Sequence, residues 1–417
     1  MNATASPFDR LRETVRFAPA GAPVGNLTLG TGTLDARPVA VALLENRIAS
    51  GSVGVAEARA LAAAIDGARR EGRALVMGID SAGARVSQGL EALGAFRALY
   101  RAGLEAAVAG TPMAAVLGTF CYGGASMLAH LASRRLFSQR TRLAMSGPAI
   151  LASSAGMGAT DEMFLAIAEA AMGPASRAKA SAANRVADDS LDMAAWLREA
   201  LAPRGDPLAS GRMRHEALAT RLPQEQAAPN AESVQRRDLD RIYAGHYEAR
   251  EAQGFLEGKG TRDGAEEVFL GIVGSAPLGI ARAWRFADAA WRLADAPPKQ
   301  VEVFLDCASH AARLEDERAV QSEFIVDASF ALAALAARGT RICLTILGKA
   351  GGGVYVALAA PAMRVATVHG ADIQVLPGAA VAAILGETRE SVPSFADYLP
   401  AGVADTELKL GLVPRIP

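Results

Sequence analysis

Two pairs of adjacent glycines carry the chemistry this sequence can offer: Gly123-Gly124 in CYGGASM and Gly352-Gly353 in AGGGVYVAL. Each pair follows an apolar run that reads as a strand and precedes one that reads as a helix. Without Cβ atoms, the backbone can turn sharply there and let a ligand approach within hydrogen-bonding distance. The first N–H groups of the helix have no intrahelical acceptor, and the positive end of the helix dipole lies behind them. Such a turn suits an oxygen that gains negative charge. A second donor is needed to fix that oxygen. The loop Asp80-Ser81-Ala82-Gly83-Ala84-Arg85, at the end of the preceding strand, is the candidate to supply it.

The reaction that suits such holes converts a thioester carbonyl into an enolate, which concentrates charge on one oxygen. Fixed amide donors then stabilise the transition state more than the substrate. A β-carboxyl group can leave as CO2 when the enolate left behind is held in this way, with no obligatory metal or nucleophile. The two glycine pairs and that loop are thus the candidate donors. Ser81, Arg85, Tyr122, His310 and Lys349 are the side chains around the turns that would meet substrate.

Several of these residues have two readings. Arg85 either binds a phosphate or carboxylate or is pinned to a neighbouring acid. Lys349 either attracts a carboxylate or faces solvent from a strand end. His310, in DCASHAAR, occupies the equivalent of the first loop and is the histidine best suited to protonate an acetyl carbanion, although a loop histidine with no role is the favoured reading. Asp80 reads as a strand end and a cap for the loop's amides. Cys121 reads as core, because a catalytic thiol needs a basic partner. A hydratase or isomerase would need a carboxylate to move a proton at carbon. No glutamate is near CYGGASM or AMSGPAI in sequence, which disfavours that class.

Strands and helices must alternate to place these loops. Pro38 to Leu44, Ala74 to Asp80 and PMAAVLG read as buried strands, and Val55 to Arg70, Leu90 to Ala109 and Ala125 to Ala132 as helices. Continuous apolar strands separated by helices indicate an α/β architecture with both sheet faces covered. The second half repeats the plan. VEVFLD is a strand, Glu317 to Arg338 a helix, RICLTILG a strand, and the second glycine turn enters a helix. An ungapped offset of 229 positions sets Gly123 against Gly352 and also matches Thr111 with Thr340, Arg135 with Arg364 and Pro148 with Pro377. Duplication is the economical explanation.

The 417 residues suggest two domains, and 51% hydrophobic with 21% charged residues supports a large core. The expected division is a first domain over 1–202, a polar connector over 203–264 that holds His215, His246 and the loop RLPQEQAAPNAES, and a second domain over 265–417. With 43 basic and 44 acidic side chains the net charge is −1, which gives no long-range field for a nucleic acid. The three cysteines form no CxxC pair and fit neither a disulfide framework nor a zinc site. A cytoplasmic location follows, because the N-terminus has no signal-peptide core and the apolar run Thr111 to Ala132 is broken by glycines and a proline. Walker A, G-x-S-x-G and dinucleotide motifs all fail on detail.

DSAGARVSQG, CYGGASM with SRRLFSQRTRLAMSGP, and GKAGGGVYVAL resemble the loop and the two glycine turns of the acyl-CoA carboxyltransferases. That resemblance implies a crotonase-type ββα-superhelix fold in two similar halves, with Gly83 and Ala82 or Ala84, together with Gly124 and Gly123, forming the thioester oxyanion hole and Gly352 and Gly353 the second hole. Within the superfamily, AMSGPAI, AEAAMGPASRAKASAANRVADDSLDMAAWLREAL and ILGKAGGGVYVALAAPAMRVATVHG are most similar to the β and γ subunits of biotin-independent malonate decarboxylase, joined here in one chain. The substrate this implies is malonyl carried as a thioester on CoA or on the phosphopantetheine-type arm of an acyl carrier protein, with no covalent cofactor. An acyltransferase would be a partner subunit, and the sequence permits a homo-oligomer. Ala82 replaces a glycine common in carboxyltransferases, Ala149 stands where the decarboxylase pattern leads to a glutamate, and QVLPGAAVAA replaces a His- and Lys-containing stretch. Two alternatives are a biotin-dependent carboxyltransferase, with biotin brought by a partner, and a non-catalytic subunit that presents a carrier protein.

Overall fold

The computed structural model describes residues 6–157, 161–223, 236–376, 381 and 392–409. It has sixteen strands: β1 (Ala18–Pro19), β2 (Leu27–Leu34), β3 (Arg37–Leu44), β4 (Ala74–Ser81), β5 (Met113–Tyr122), β6 (Arg134–Phe137), β7 (Arg142–Ala144), β8 (Asn184–Val186), β9 (Tyr247–Ala252), β10 (Phe255–Arg262), β11 (Ala265–Ser275), β12 (Gln300–Cys307), β13 (Arg341–Gly351), β14 (Arg364–Val368), β15 (Asp372–Gln374) and β16 (Thr406–Leu408). They form two eight-stranded sheets. The first runs β1-β2-β3-β4-β5-β6-β8 with β7 paired to β5, and the second runs β9-β10-β11-β12-β13-β14-β16 with β15 paired to β13. Strand for strand the two orders are the same, as two duplicated halves require.

Within each sheet the buried strands pair in parallel, β3-β4-β5 in one and β11-β12-β13 in the other. Their side chains are almost continuously buried, which is why these segments read as apolar runs without alternation. In both sheets the register slips by a bulge just before the loop of interest, between Ile79 and Ser81 and between Leu305 and Cys307. Bulges re-aim a strand end.

Three boundaries differ from the sequence expectation. β5 and β13 run past their predicted ends to Tyr122 and Gly351, because the short strands β7 and β15 pair with their last residues. The helix expected over Glu317 to Arg338 is two helices, Leu314–Arg318 and Gln321–Ala337, separated at Val320, whose φ is +67°. The polar stretch expected as a connector supplies the helix Pro207–Ala219 and the hairpin β9-β10, which pairs onto β11. Most of RLPQEQAAPNAES, and QVLPGAAVAA beyond Leu376 apart from Val381, lie outside the described residues.

The chain separates into two compact units that do not follow the midpoint of the sequence. The first takes residues 1–88, 98–210 and 312–326, and the second 89–97, 211–311 and 327–417. Each therefore incorporates a short helical segment from the other half of the sequence. The first unit's core gathers Phe8, Leu11, Val41, Val76, Val116, Trp196 and Leu197. The second packs Tyr243, Phe269 and Phe304 as stacked and edge-on rings. Among the described residues no helix is long and apolar enough to cross a membrane.

Candidate functional site

The first glycine turn is built where β5 meets the helix Gly124–Leu131. Gly123 has φ +55° and ψ −129°, a conformation that side chains disfavour. Its N–H donates to the carbonyl of Ala144 on β7 at 3.0 Å, and its own carbonyl accepts from the N–H of Ser126 at 3.0 Å. Gly123 therefore shapes the turn, and the expectation that it donates to a ligand fails because its N–H is committed. Gly124, the first helical residue, is half-buried, and its N–H has no acceptor among the described residues.

The DSAGAR loop lies against this turn. A Cβ on Gly83, whose φ is +94°, would sit 2.9 Å from the Tyr122 carbonyl oxygen and 3.4 Å from the Gly124 nitrogen. That spacing accounts for glycine at 83. The Gly83 N–H is bonded to Ser81 Oγ at 3.1 Å, and the Ala82 N–H donates to the Ser50 carbonyl at 3.0 Å. Both were expected to be open donors, and both are used in folding the loop. Ala84 is the loop residue whose N–H has no acceptor among the described residues. Ser81 is fully buried and braces the loop from inside, where it cannot meet a ligand.

Asp80 is a cap, but for a neighbouring strand instead of its own loop. Its Oδ1 accepts from the Phe120 N–H at 2.9 Å. Arg85 takes the paired one of its two readings. Its guanidinium binds the buried Glu57 carboxylate, the Ser52 carbonyl at 2.7 Å and Ser52 Oγ at 3.2 Å. Tyr122 is half-buried, with ring carbons 3.6 and 3.7 Å from where a Gly147 Cβ would sit, and burial pushes its phenol above its ordinary range. The Cys121 thiol is fully buried and burial pushes it up as well, as a core residue requires.

A carboxylate does lie beside this turn, contrary to the sequence expectation. Glu317, on the helix Leu314–Arg318, is fully buried in the first unit, and its Oε1 accepts from the Ser146 N–H of AMSGPAI at 2.7 Å. The Arg177 guanidinium holds the same residue through its backbone carbonyl at 2.7 Å and its carboxylate at 3.9 Å, and also donates to the Leu143 carbonyl at 2.9 Å. Burial pushes the Glu317 carboxyl up to about 7, against the pull of Arg177 and of the Ser146 and Met145 backbone. Glu317 is 171 positions from Ser146, so no local motif could have indicated it. It stands in LEDER, where four of the five residues are charged, so nothing in the local sequence sets it apart.

The second turn repeats the first with altered lining. Gly352 has φ +52° and follows the pairing of Gly351 with Gln374, as Gly123 follows that of Tyr122 with Ala144. Asp306 Oδ1 accepts from the Lys349 N–H at 2.8 Å, as Asp80 does for Phe120. The Lys349 side chain is exposed, which favours the solvent-facing one of its two readings. Leu278 bonds to Ser309 and Ala311 as Val53 bonds to Gly83 and Arg85. Ser309 thus occupies the place of Gly83, His310 that of Ala84 and Ala311 that of Arg85. His310 is half-buried, with Nδ1 3.3 Å from Ser309 Oγ, and desolvation lowers it to about 4. That leaves it uncharged near pH 7, which disfavours it as the acid that protonates a carbanion.

Residues 7–203 match the family model described as the carboxyl transferase domain. That span holds the first sheet and both loops that meet at Gly83 and Gly124. The methylmalonyl-CoA carboxyltransferase 12S subunit of Propionibacterium freudenreichii subsp. shermanii is 25% identical over 142 residues, 34% of this chain and 27% of that protein. The carboxyltransferase subunit of propionyl-CoA carboxylase from Haloferax mediterranei is 32% identical over 103 residues, 25% of this chain and 20% of that protein. The similarity thus spans about a quarter and a fifth of these relatives' lengths. Among solved structures, a transcarboxylase 12S with hydrolysed methylmalonyl-coenzyme A is 18% identical with a TM-score of 0.38, covering 97% of this chain and 86% of that one. A Pseudomonas malonate decarboxylase hetero-tetramer in complex with malonate is 21% identical with a TM-score of 0.44, covering 56% of this chain and 95% of that one.

Proposed function

We propose that this protein is an enzyme that holds the enolate of an acyl thioester and removes its carboxyl group, and that its substrate is a malonyl thioester on an acyl carrier protein or CoA. One observation carries the reading: Gly83 packs against Gly124, whose N–H opens a helix and has no acceptor among the described residues. The thioester oxygen takes that N–H, with the Ala84 N–H as the second donor from the neighbouring loop. As the bond from Cα to the carboxyl carbon breaks, its electron pair passes to the thioester oxygen as enolate charge and CO2 departs. A proton then returns to Cα and gives the acetyl thioester. The amides are already oriented, so the developing charge is stabilised without reorganisation.

A second reading is favoured by the names of the curated relatives, which are carboxyltransferases. The same enolate would then arise by transfer of the carboxyl group to biotin on a partner protein. Purified protein incubated with malonyl-CoA or a malonyl carrier protein, with and without avidin, separates the two. Avidin-insensitive CO2 release is the expected result. Release or exchange that avidin stops would replace the decarboxylase by the carboxyltransferase, and carrier binding without turnover would overturn both.

A further inference from the structure

We propose that Glu317, contributed by the second half of the sequence, is the positioning residue of the first glycine turn: its carboxylate holds Ser146 and, through β7, the orientation of Gly123 and Gly124. The inference rests on the reading above that this turn binds a thioester oxygen.

Two hydrogen bonds link the acid to the turn. Glu317 Oε1 accepts from the Ser146 N–H at 2.7 Å, just beyond the end of β7, and the Ala144 carbonyl at that end accepts from the Gly123 N–H at 3.0 Å. Ala144 also pairs with Tyr122, so the strand end that Glu317 grips flanks the turn. Apolar packing closes the same corner, with Tyr122, Phe164, Ala312 and Leu314 gathered on Ala144 and Leu151. Glu317 is itself held by Arg177, which bonds its main chain and, through Leu143, the same short strand. A carboxylate accepts an N–H more strongly than a neutral carboxyl group does. Loss of its charge therefore loosens Ser146 and lets the turn shift.

Glu317 is a positioning residue, since it is fully buried and touches no reacting atom. The titratable and charged groups around it are Arg177 on the helix Pro174–Ala180, Asp316 on its own helix, paired with Arg313, and the neutral Tyr122 phenol on β5. Glu169, on the packed helix Glu162–Met172, is taken by Arg142. Arg177 favours the carboxylate, while burial and Asp316 oppose it. The midpoint near 7 puts the change of state within the working range of pH.

The test uses the full chain labelled with 15N-glycine, the Gly124 signal being identified by its loss in Gly124→Ala. In the unliganded wild type, that signal is expected to move on one titration curve between about pH 6 and 8. Glu317→Gln should flatten the curve, and Arg177→Lys should move its midpoint upward. In turnover, Glu317→Gln should lower kcat about 10- to 100-fold with KM within about twofold, because a small misplacement of a donor costs rate more than binding. A signal flat in the wild type, or a curve that persists in Glu317→Gln, overturns the inference. Should Glu317→Gln fail to fold, the wild-type and Arg177→Lys curves still decide it. Titrating glycines without turnover of any malonyl thioester would sink the proposed reaction and leave the positioning role standing.

Discussion

Gly123 and Gly352 hold nearly the same left-handed backbone, with φ at +55° and +52°, at the same junction of strand and helix in two sheets of the same strand order. What surrounds them differs. The first has Gly83 and Ala84 on the facing loop, and the second has Ser309 and His310. A Cβ on Gly123 would meet nothing nearer than 3.9 Å, whereas one on Gly352 would meet Ser309 Oγ at 3.3 Å. Duplication preserved the bend and changed its lining.

Gly124→Pro separates the amide from the fold. Proline is well tolerated at the first position of a helix, where no intrahelical bond is lost. The substitution removes the one N–H that the proposed reaction uses at this turn. A fall of about 10²- to 10³-fold in kcat is expected, with the far-UV spectrum and melting temperature close to wild type. Unchanged turnover would remove this turn from the mechanism.

Gly83→Ala should do harm of a different kind. The new Cβ would lie 2.9 Å from the Tyr122 carbonyl in a backbone with φ +94°. A destabilisation of about 1–3 kcal/mol is expected from the backbone strain, measured by denaturant unfolding, together with lost turnover. A variant as stable as wild type would show that the two loops are free to separate.

His215 gives the second unit a dependence on alkaline pH. Its Nδ1 lies 2.7 Å from Asp327 and its Nε2 3.5 Å from Asp288, with Trp284 stacked on the ring. Burial lowers its affinity for a proton, but hydrogen bonds to Asp288 and Asp327 outweigh burial and raise the pKa to about 9. The folded value lies above the unfolded one, so the stabilisation is complete below about pH 6.5 and is lost as pH rises through 9. Thermal midpoints measured from pH 6 to 10 should fall over that window, and His215→Asn should flatten the fall. A wild-type profile that stays level through pH 9 would contradict this pairing.

Residues 1–203 expressed alone should not fold, although they coincide with the family match. Arg177 and Arg135 are buried there, and their acids Glu317 and Glu323 come from the second half of the sequence. Breaking a buried pair costs about 3–5 kcal/mol, a large share of ordinary domain stability. Absence of a cooperative melting transition is expected, with recovery when residues 204–417 are co-expressed. A sharp transition in the fragment alone would refute the dependence.

What could be read from the sequence was whatever is local. The strands and helices of the repeat announce themselves by apolar runs and periodicity, and Val55–Arg70 has the predicted limits. The glycines stand out because only glycine suits the bend. The state of each amide could not be read, because Ser50, Ser81 and Ala144 take up donors through bonds that depend on the folded loop. Glu317 was invisible for the same reason: it reaches Ser146 across 171 positions. Arg85 and Lys349 each had two readings, and only their neighbours in space distinguish them.

The loan of residues 312–326 to the first unit bears on how the molecule is made. A nascent chain leaves the ribosome from its N-terminus at roughly 5–20 residues per second. Translation must therefore continue for several seconds past position 210 before Glu317 and Glu323 emerge. During that wait Arg135 and Arg177 have no acids to neutralise them, and the sheet that carries the first turn is open to chaperones.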